Sequence, residues 1–349
     1  MGDLPSDDFY ENWRMRQRLN VGVVGLGRLG NLYARYFLGR ISGAKLEAVA
    51  DLDGGRAESF ANQHGVARWR RDYRELLADQ KLDAIVVVTT TQSHYEIVVE
   101  AAGAGKAVFC EKPLSLSIDE AIAMKEAVDK NGAFFQLGFM RRFDKGYSAA
   151  KSRIEAGDIG NPIVFKSSSR DPYRPSLDYL DPKNSGGLFT DCGIHDVDLA
   201  RWLIGEIATV YSIGGVLAYP EMSEIGDVDN AIMTLEFANG SIGVIDLSRS
   251  GVYGYDIRTE ILGTKGTLKI GYLRETPLSV MTREGVTHDT VPYFMERFEQ
   301  AYVSQLQNFV DNVLGDKPPP ITCDDGIAAL RVTLAATRSL KENARVRAA

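Results

Sequence analysis

VGVVGLGRLGNLYARYFLGR, residues 21–40, decides the fold. The apolar run at residues 21–24 reads as a strand buried on both faces, and it enters a glycine turn without a polar break. Gly25-Leu26-Gly27-Arg28-Leu29-Gly30 is a G-x-G-x-x-G, and the helical spacing of Leu32, Tyr36 and Phe37 follows at once. The pattern therefore stands between a strand and a helix, the context that gives it meaning. Gly25 allows the tight turn, Gly27 lets a pyrophosphate approach the backbone, and Gly30 lets helix and strand pack closely. The helix N-terminus then presents its free N–H groups to phosphate. Asp51 closes the next apolar run, about 20 residues on, where an acid accepts the adenosine ribose hydroxyl. A carboxylate there repels a 2′-phosphate, so the expected cofactor is NAD rather than NADP. Arg28, within reach of a phosphate, pulls the other way.

Outward from this stretch, short apolar runs at residues 46–50, 84–88, 107–110 and 133–139 alternate with helical stretches such as 117–131. That alternation predicts a doubly wound parallel sheet, a Rossmann domain over residues 20–140. Past Gly138 the texture changes. A helix at 147–156, on which Tyr147 and Lys151 are read as one face of a surface helix, leads to a strand at 162–170 and a helix at 191–204. Long alternating strands then meet across Asn239–Gly240 and across GTKG, residues 263–266, both hairpin signals. Residues 141–349 are therefore expected to form an α+β domain with a large, mostly antiparallel open sheet, closed by helices at 296–314 and 324–342. Residues 1–19 are read as a polar N-terminal arm.

Composition removes whole classes of function. The chain of 349 residues carries 40 Lys+Arg against 47 Asp+Glu, a net charge of −7, and has no basic run. Phosphate neutralisation, the main source of nucleic-acid affinity, is missing, so no nucleic-acid partner is expected. Its apolar runs are far shorter than the ~20 residues of a membrane helix, so no membrane association is expected either. Cys110, Cys192 and Cys323 form no disulfide framework and no C-x-x-C pair. That fits a reducing cytoplasm, and no metal-ligand spacing appears.

Two charged constellations carry chemistry. Glu111-Lys112-Pro113 follows the strand at 107–110, and ligands of doubly wound sheets bind at the C-terminal strand ends. Position alone also allows a solvated Glu–Lys pair. Asp191 and His195 lie four apart on the helix expected at 191–204, on a face away from the apolar stripe Ile194, Val197, Ala200 and Ile204. An imidazole accepts protons near neutrality and an adjacent carboxylate orients it or anchors a hydroxyl. The same spacing also fits a buried histidine with a local carboxylate partner. His94, just after the strand at 84–88, is expected to cap the nucleotide site.

GLGRLG, Asp51, TTTQSH at 89–94, EKP at 111–113 and GGLFTDCGIHDVDLARWL at 186–203 together resemble the Gfo/Idh/MocA oxidoreductase family. QLGFMRRFDKGY at 136–147 and GYD at 254–256 resemble its inositol 2-dehydrogenase branch. The resemblance implies NAD-dependent oxidation of a secondary alcohol on a cyclic polyol, myo- or scyllo-inositol, with an aldose or pyranose dehydrogenase and a non-catalytic NAD-binding sensor as competing readings. It implies a catalytic set of Lys112, Asp191 and His195. It implies a nucleotide site of Gly25, Leu26, Gly27, Arg28, Leu29, Gly30, Asp51, Thr89, Thr90, His94, Glu111 and Lys112. It implies a substrate site of Lys112, Arg141, Ser169, Asp191, His195 and Tyr255. Two positions depart from the family pattern: Thr90 stands where many members have Pro, and Ser169 where related enzymes can carry His, which is expected to enlarge or re-polarise the pocket. The resemblance also implies a homo-oligomer, a dimer or tetramer.

Overall fold

The computed structural model describes residues 18–348, so the arm expected at residues 1–19 lies outside the described residues apart from Arg18 and Leu19. The chain divides into two units. Residues up to Phe139 group with Tyr302–Ile327, and Met140–Ala301 groups with the segment from Ala328 onward.

The first unit is built on six parallel strands: β1 (Leu19–Val24), β2 (Ala44–Ala50), β3 (Arg68–Arg70), β4 (Ala84–Val87), β5 (Ala107–Glu111) and β6 (Phe135–Gly138). Their order is β3-β2-β1-β4-β5-β6, the doubly wound arrangement with its switch point between β1 and β4. Every residue of β4 is fully buried, which is why that strand is an unbroken apolar run rather than an alternating one. Helices Arg28–Gly39, Gly54–His64, His94–Gly103 and Ile118–Asn131 cover the sheet. Their ends follow local chemistry: the Asp53 and Ser117 side chains accept from Arg56 and Glu120 N–H groups, and Gly65 and Gly132 take the left-handed cap. Lys106, one residue beyond a glycine turn, is buried and donates its amine to the Asp79 and Leu82 carbonyls at 2.8 Å each.

Tyr302–Ile327 packs in this first unit, although the sequence pattern places residues 141–349 together. Within helix Glu299–Leu314, residues Tyr302, Leu306, Phe309, Val310 and Val313 form one buried stripe. A stripe announces that a helix will be buried but not against which sheet. Here the Phe309 ring lies edge-on to Phe109 at 5.8 Å and to Phe134 at 5.7 Å. The Leu137 N–H also donates to the Ile321 carbonyl at 3.0 Å.

The second unit holds β7 (Pro162–Arg170), β8 (Ile207–Gly215), β9 (Asn230–Phe237), β10 (Ile242–Ser248), β11 (Asp256–Gly263) and β12 (Thr267–Ile270). A separate hairpin, β13 (Val280–Thr282) and β14 (Gly285–Thr287), precedes the short β15 (Val346–Arg347). The large sheet runs β12-β11-β7-β10-β9-β8-β15, with β7 and β10 parallel and the other pairs antiparallel. Alternation sends Phe165, Ser167 and Ser169 of β7 and Met233, Leu235 and Phe237 of β9 inward. Tyr147, read from the sequence as a surface residue, is fully buried, because its hydroxyl meets the Thr259 hydroxyl at 2.9 Å inside this layer.

Two outcomes test this packing. Phe309→Ala leaves a cavity between two aromatic rings and is expected to cost about 3–5 kcal/mol in denaturant unfolding. His94 supplies a pH test. It is buried rather than capping an open site, and its Nδ1 faces the Pro113 carbonyl at 2.9 Å. Burial, opposed by that hydrogen bond, pushes its pKa below the usual 6.5. The neutral ring is thus the folded form, so its contribution is complete above pH 6.5 and is lost as pH falls toward the lowered folded value. Thermal unfolding from pH 8 to 5 should show the advantage of wild type over His94→Asn shrinking through that window.

Candidate functional site

Parallel strands deliver their loops to one edge of the first sheet, which gathers four of the expected elements: the glycine loop after β1, Asp51 after β2, Thr89 and Thr90 after β4, and Glu111-Lys112 after β5. Gly25 has φ +91°, and a Cβ there would lie 2.6 Å from the Val88 carbonyl oxygen. A Cβ on Gly30 would lie 1.9 Å from the Gly25 carbonyl oxygen. Both glycines are therefore structural requirements. Gly27 differs, since a Cβ there would meet nothing within 4 Å. It caps a helix whose first turn has no side-chain cap, so open space and helix N–H donors coincide. Asp51 ties this loop to β2: its Oδ2 accepts from the Leu26 N–H at 2.7 Å and its Oδ1 from the Asp53 N–H at 2.9 Å. Arg56 pairs with the same carboxylate at 3.2 Å. The loop, the open helix end and the fixed carboxylate fit a dinucleotide.

Glu111 is turned inward rather than toward the nucleotide edge. It accepts from the Tyr33 hydroxyl, from Gln305 Nε2 at 3.4 Å and from the Lys112 N–H at 3.1 Å. Gln305 Nε2 also reaches the Tyr33 hydroxyl at 2.5 Å. Burial raises the Glu111 pKa, and these donors together with the Lys112 charge oppose the rise. Glu111 thus pins the backbone that carries Lys112, whose half-buried side chain belongs to the loop. The Lys112–Pro113 peptide is cis.

In the second unit the expected helix at 191–204 starts differently. Phe189–Gly193 forms a π turn and the α-helix covers Ile194–Leu203. The end of the wide turn is closely packed: a Cβ on Gly193 would lie 2.9 Å from Leu247 Cδ1 and 3.1 Å from Met233 Cε. Asp191 and His195 straddle the junction of the two helical forms, a recurrent device at functional sites. Nor is one stripe alone buried: His195, Asp196 and Asp198 are inside with Ile194, Val197 and Ala200, and Leu203 replaces Ile204 as the last core residue. Asp191 is held at both oxygens. Arg249 Nη2 donates to Oδ2 at 2.9 Å and the Tyr179 hydroxyl donates to Oδ1 at 3.2 Å. Arg249 is fully buried, and Asp171 stands on its other side at 3.6 Å. Burial raises the Asp171 pKa; Arg249 lowers it, and the Asp191 charge raises it further.

Arg141, Ser169 and Tyr255 come together, but as an internal network. Arg141 Nη1 donates to Asp196 Oδ1 at 2.9 Å and Nη2 to Ser169 Oγ at 3.0 Å. Burial opposes the Arg141 charge, and Asp196 more than offsets it. Ser167 also donates to Asp196. Tyr255 is buried near enough to feel the Arg141 charge and packs edge-on to Tyr293 and Phe298. Asp171 feels both Arg249 and Arg141, so this network adjoins the Asp191 cluster. Sequence reasoning missed Arg249, Asp171, Tyr179 and Asp196 in the second unit, and Tyr33 and Gln305 in the first. Asp196 lies within the quoted 186–203 stretch without standing out there, and for the others the signal is a polar side chain set among apolar neighbours.

Comparison with known proteins agrees with this geometry. Residues 19–139 match the model for an oxidoreductase family with an NAD-binding Rossmann fold, and residues 151–347 match the model for the C-terminal alpha/beta domain of the same family. The chain is 42% identical to scyllo-inositol 2-dehydrogenase (NAD(+)) of Bacillus subtilis over 94% of this chain and 95% of that one. It is 40% identical to myo-inositol 2-dehydrogenase of Thermotoga maritima over 94% and 98%. The solved structure of scyllo-inositol dehydrogenase from Lactobacillus casei with NAD(H) and scyllo-inositol superposes with a TM-score of 0.90 at 33% identity, over 95% of this chain and 99% of that one. Nucleotide loop, mixed second sheet and matched relatives converge: the chain belongs to the Gfo/Idh/MocA oxidoreductase family and takes NAD as its cofactor.

Proposed function

We propose that this protein oxidises a ring CH–OH of an inositol, myo- or scyllo-inositol, to the corresponding inosose, with Lys112, Asp191 and His195 as its catalytic residues. The observation that carries the reading is the Asp191–His195 pair, set across the junction of the wide turn and the α-helix with its carboxylate fixed at both oxygens. High identity to inositol dehydrogenases over nearly the whole chain supports the substrate class.

In this reading the glycine loop and Asp51 hold the cofactor. Asp51 favours NAD by repelling a 2′-phosphate. The chemistry NAD supplies when bound is acceptance of the hydride from the carbinol carbon. The imidazole of His195 takes the hydroxyl proton, leaving a carbonyl oxygen on the ring. The ammonium of Lys112 donates to that oxygen while negative charge builds on it, a stabilisation that grows toward the transition state. Asp191 accepts from a neighbouring hydroxyl and so sets which ring position reacts. Tyr255 is the member of the Arg141 network assigned to the substrate. Arg141 and Ser169 are two other members, and Ser169 accepts from Arg141 at 3.0 Å.

We further propose a cytoplasmic homo-oligomer. Cys110, Cys192 and Cys323 are all unbridged, which suits a reducing compartment. The outer face of the second sheet exposes Ile213 beside its register partner Ile232, together with Ile242 and Leu262. Such isoleucines and leucines suit a self-complementary contact with a second copy. Among the described residues no helix is long and apolar enough to cross a membrane.

Lys112→Met and His195→Asn should each lower the rate of NADH formation from scyllo- or myo-inositol by about 10²-fold or more, while NADH fluorescence titration shows cofactor binding retained. Wild-type rates in both variants, or turnover on aldoses with none on inositols, would overturn the assignment. Light scattering should give a mass of at least two chains, falling toward one in an Ile213→Lys, Ile232→Lys variant; a wild-type monomer at micromolar concentration refutes the assembly.

A further inference from the structure

We propose that Arg249 is a positioning residue for the reaction, holding the Asp191 carboxylate in the one orientation that receives the substrate hydroxyl; this rests on the reading of Asp191 given above. Arg249 follows directly on β10, and its backbone N–H is secured on the Asp229 carbonyl at 2.9 Å. Its side chain is fully buried. A buried guanidinium needs a counter-charge, and one carboxylate satisfies that need. Here there are more. Asp191 Oδ2 lies at 2.9 Å, Asp171 Oδ2 at 3.6 Å, and Asp227 is near enough for its carboxyl to feel both Arg249 and Asp191. A purely structural ion pair requires no such surplus of anions.

The contacts are also unequal in a way that singles out Asp191. The shorter, hydrogen-bonded contact goes to Asp191. The 3.6 Å contact goes to Asp171, which has Cys192 Sγ as a second neighbour at 3.4 Å. At the other oxygen of Asp191, the Tyr179 hydroxyl completes a two-point clamp at 3.2 Å. Asp191 has only two side-chain torsions, and a donor at each oxygen removes freedom in both. An ionised carboxylate has about four acceptor positions. The clamp occupies one on each oxygen, with Cys192 Sγ also 4.0 Å from Oδ2, so an incoming hydroxyl is received along fixed directions. Lysine cannot reproduce this arrangement, because its point charge lacks the planar fork that spans two carboxylates at once.

The inference separates from a structural role by three substitutions assayed with scyllo-inositol, NAD and NADH. Arg249→Lys keeps the buried charge and loses the fork. KM for scyllo-inositol should rise about tenfold, with NADH affinity and Tm within error of wild type. The double variant Arg249→Met, Asp171→Asn removes one cation and one anion, so the net charge of the cluster is unchanged. It should bind NADH normally, yet lose about 10²-fold in kcat/KM for scyllo-inositol through misplacement of Asp191. Asp191→Asn distinguishes the two levels of the claim. Wild-type turnover in that variant overturns both the role of Asp191 and this inference. Lost turnover in Asp191→Asn, combined with unchanged kcat and KM in Arg249→Lys or the double variant, overturns this inference alone.

Discussion

The approach of Gly30 to Gly25 is the constraint on which the first unit depends. A Cβ on Gly30 would stand 1.9 Å from the Gly25 carbonyl oxygen, well inside any atomic contact. With hydrogen there instead, helix Arg28–Gly39 starts directly over the end of β1, and its first-turn N–H groups point into the space Gly27 leaves open. The turn brings the Leu26 N–H to Asp51, which locks the end of β2 beside the end of β1. The switch point of the sheet and the nucleotide edge thus arise from one local requirement for missing side chains.

Each unit places a carboxylate at the point where chemistry is assigned, and they stabilise it differently. Glu111 is surrounded by neutral donors, the Tyr33 hydroxyl, the Gln305 amide and the Lys112 N–H, and its pKa is raised. Such a group holds backbone in place. Asp191 faces a guanidinium and a phenol. The first arrangement suits a scaffold residue. The second suits an acceptor of fixed direction.

Features written in local pattern were legible in the sequence: the glycine loop, the strand–helix alternation, the hairpin at Asn239–Gly240, and the spacing of Asp191 and His195. What stayed hidden is decided by partners distant in sequence. The stripe Tyr302, Leu306, Phe309 predicts burial, yet only the rings of Phe109 and Phe134 determine which sheet receives it. The lack of room for a side chain at Gly193, the last residue of the π turn, is set by Met233 and Leu247, residues 40 or more positions away. Tyr147 looks like a surface residue because its helix is polar, and the Thr259 hydroxyl that receives it lies on β11. Arg249 has no periodicity to announce it. A single basic residue past a strand end reads as solvated until its carboxylates are seen.

A cyclic polyol is neutral, which changes what a charged pocket is for. Charge alone would gain little selectivity, since every inositol isomer carries the same number of hydroxyls. Selectivity between isomers requires acceptors and donors with fixed directions, because a misdirected hydroxyl then leaves a buried polar group unpaired. The second unit uses its buried arginines accordingly. Arg141 is paired with Asp196 and donates to Ser169, while Arg249 is paired with Asp191 at 2.9 Å and with Asp171 at 3.6 Å. In each case a buried guanidinium fixes the direction of an acceptor beside it.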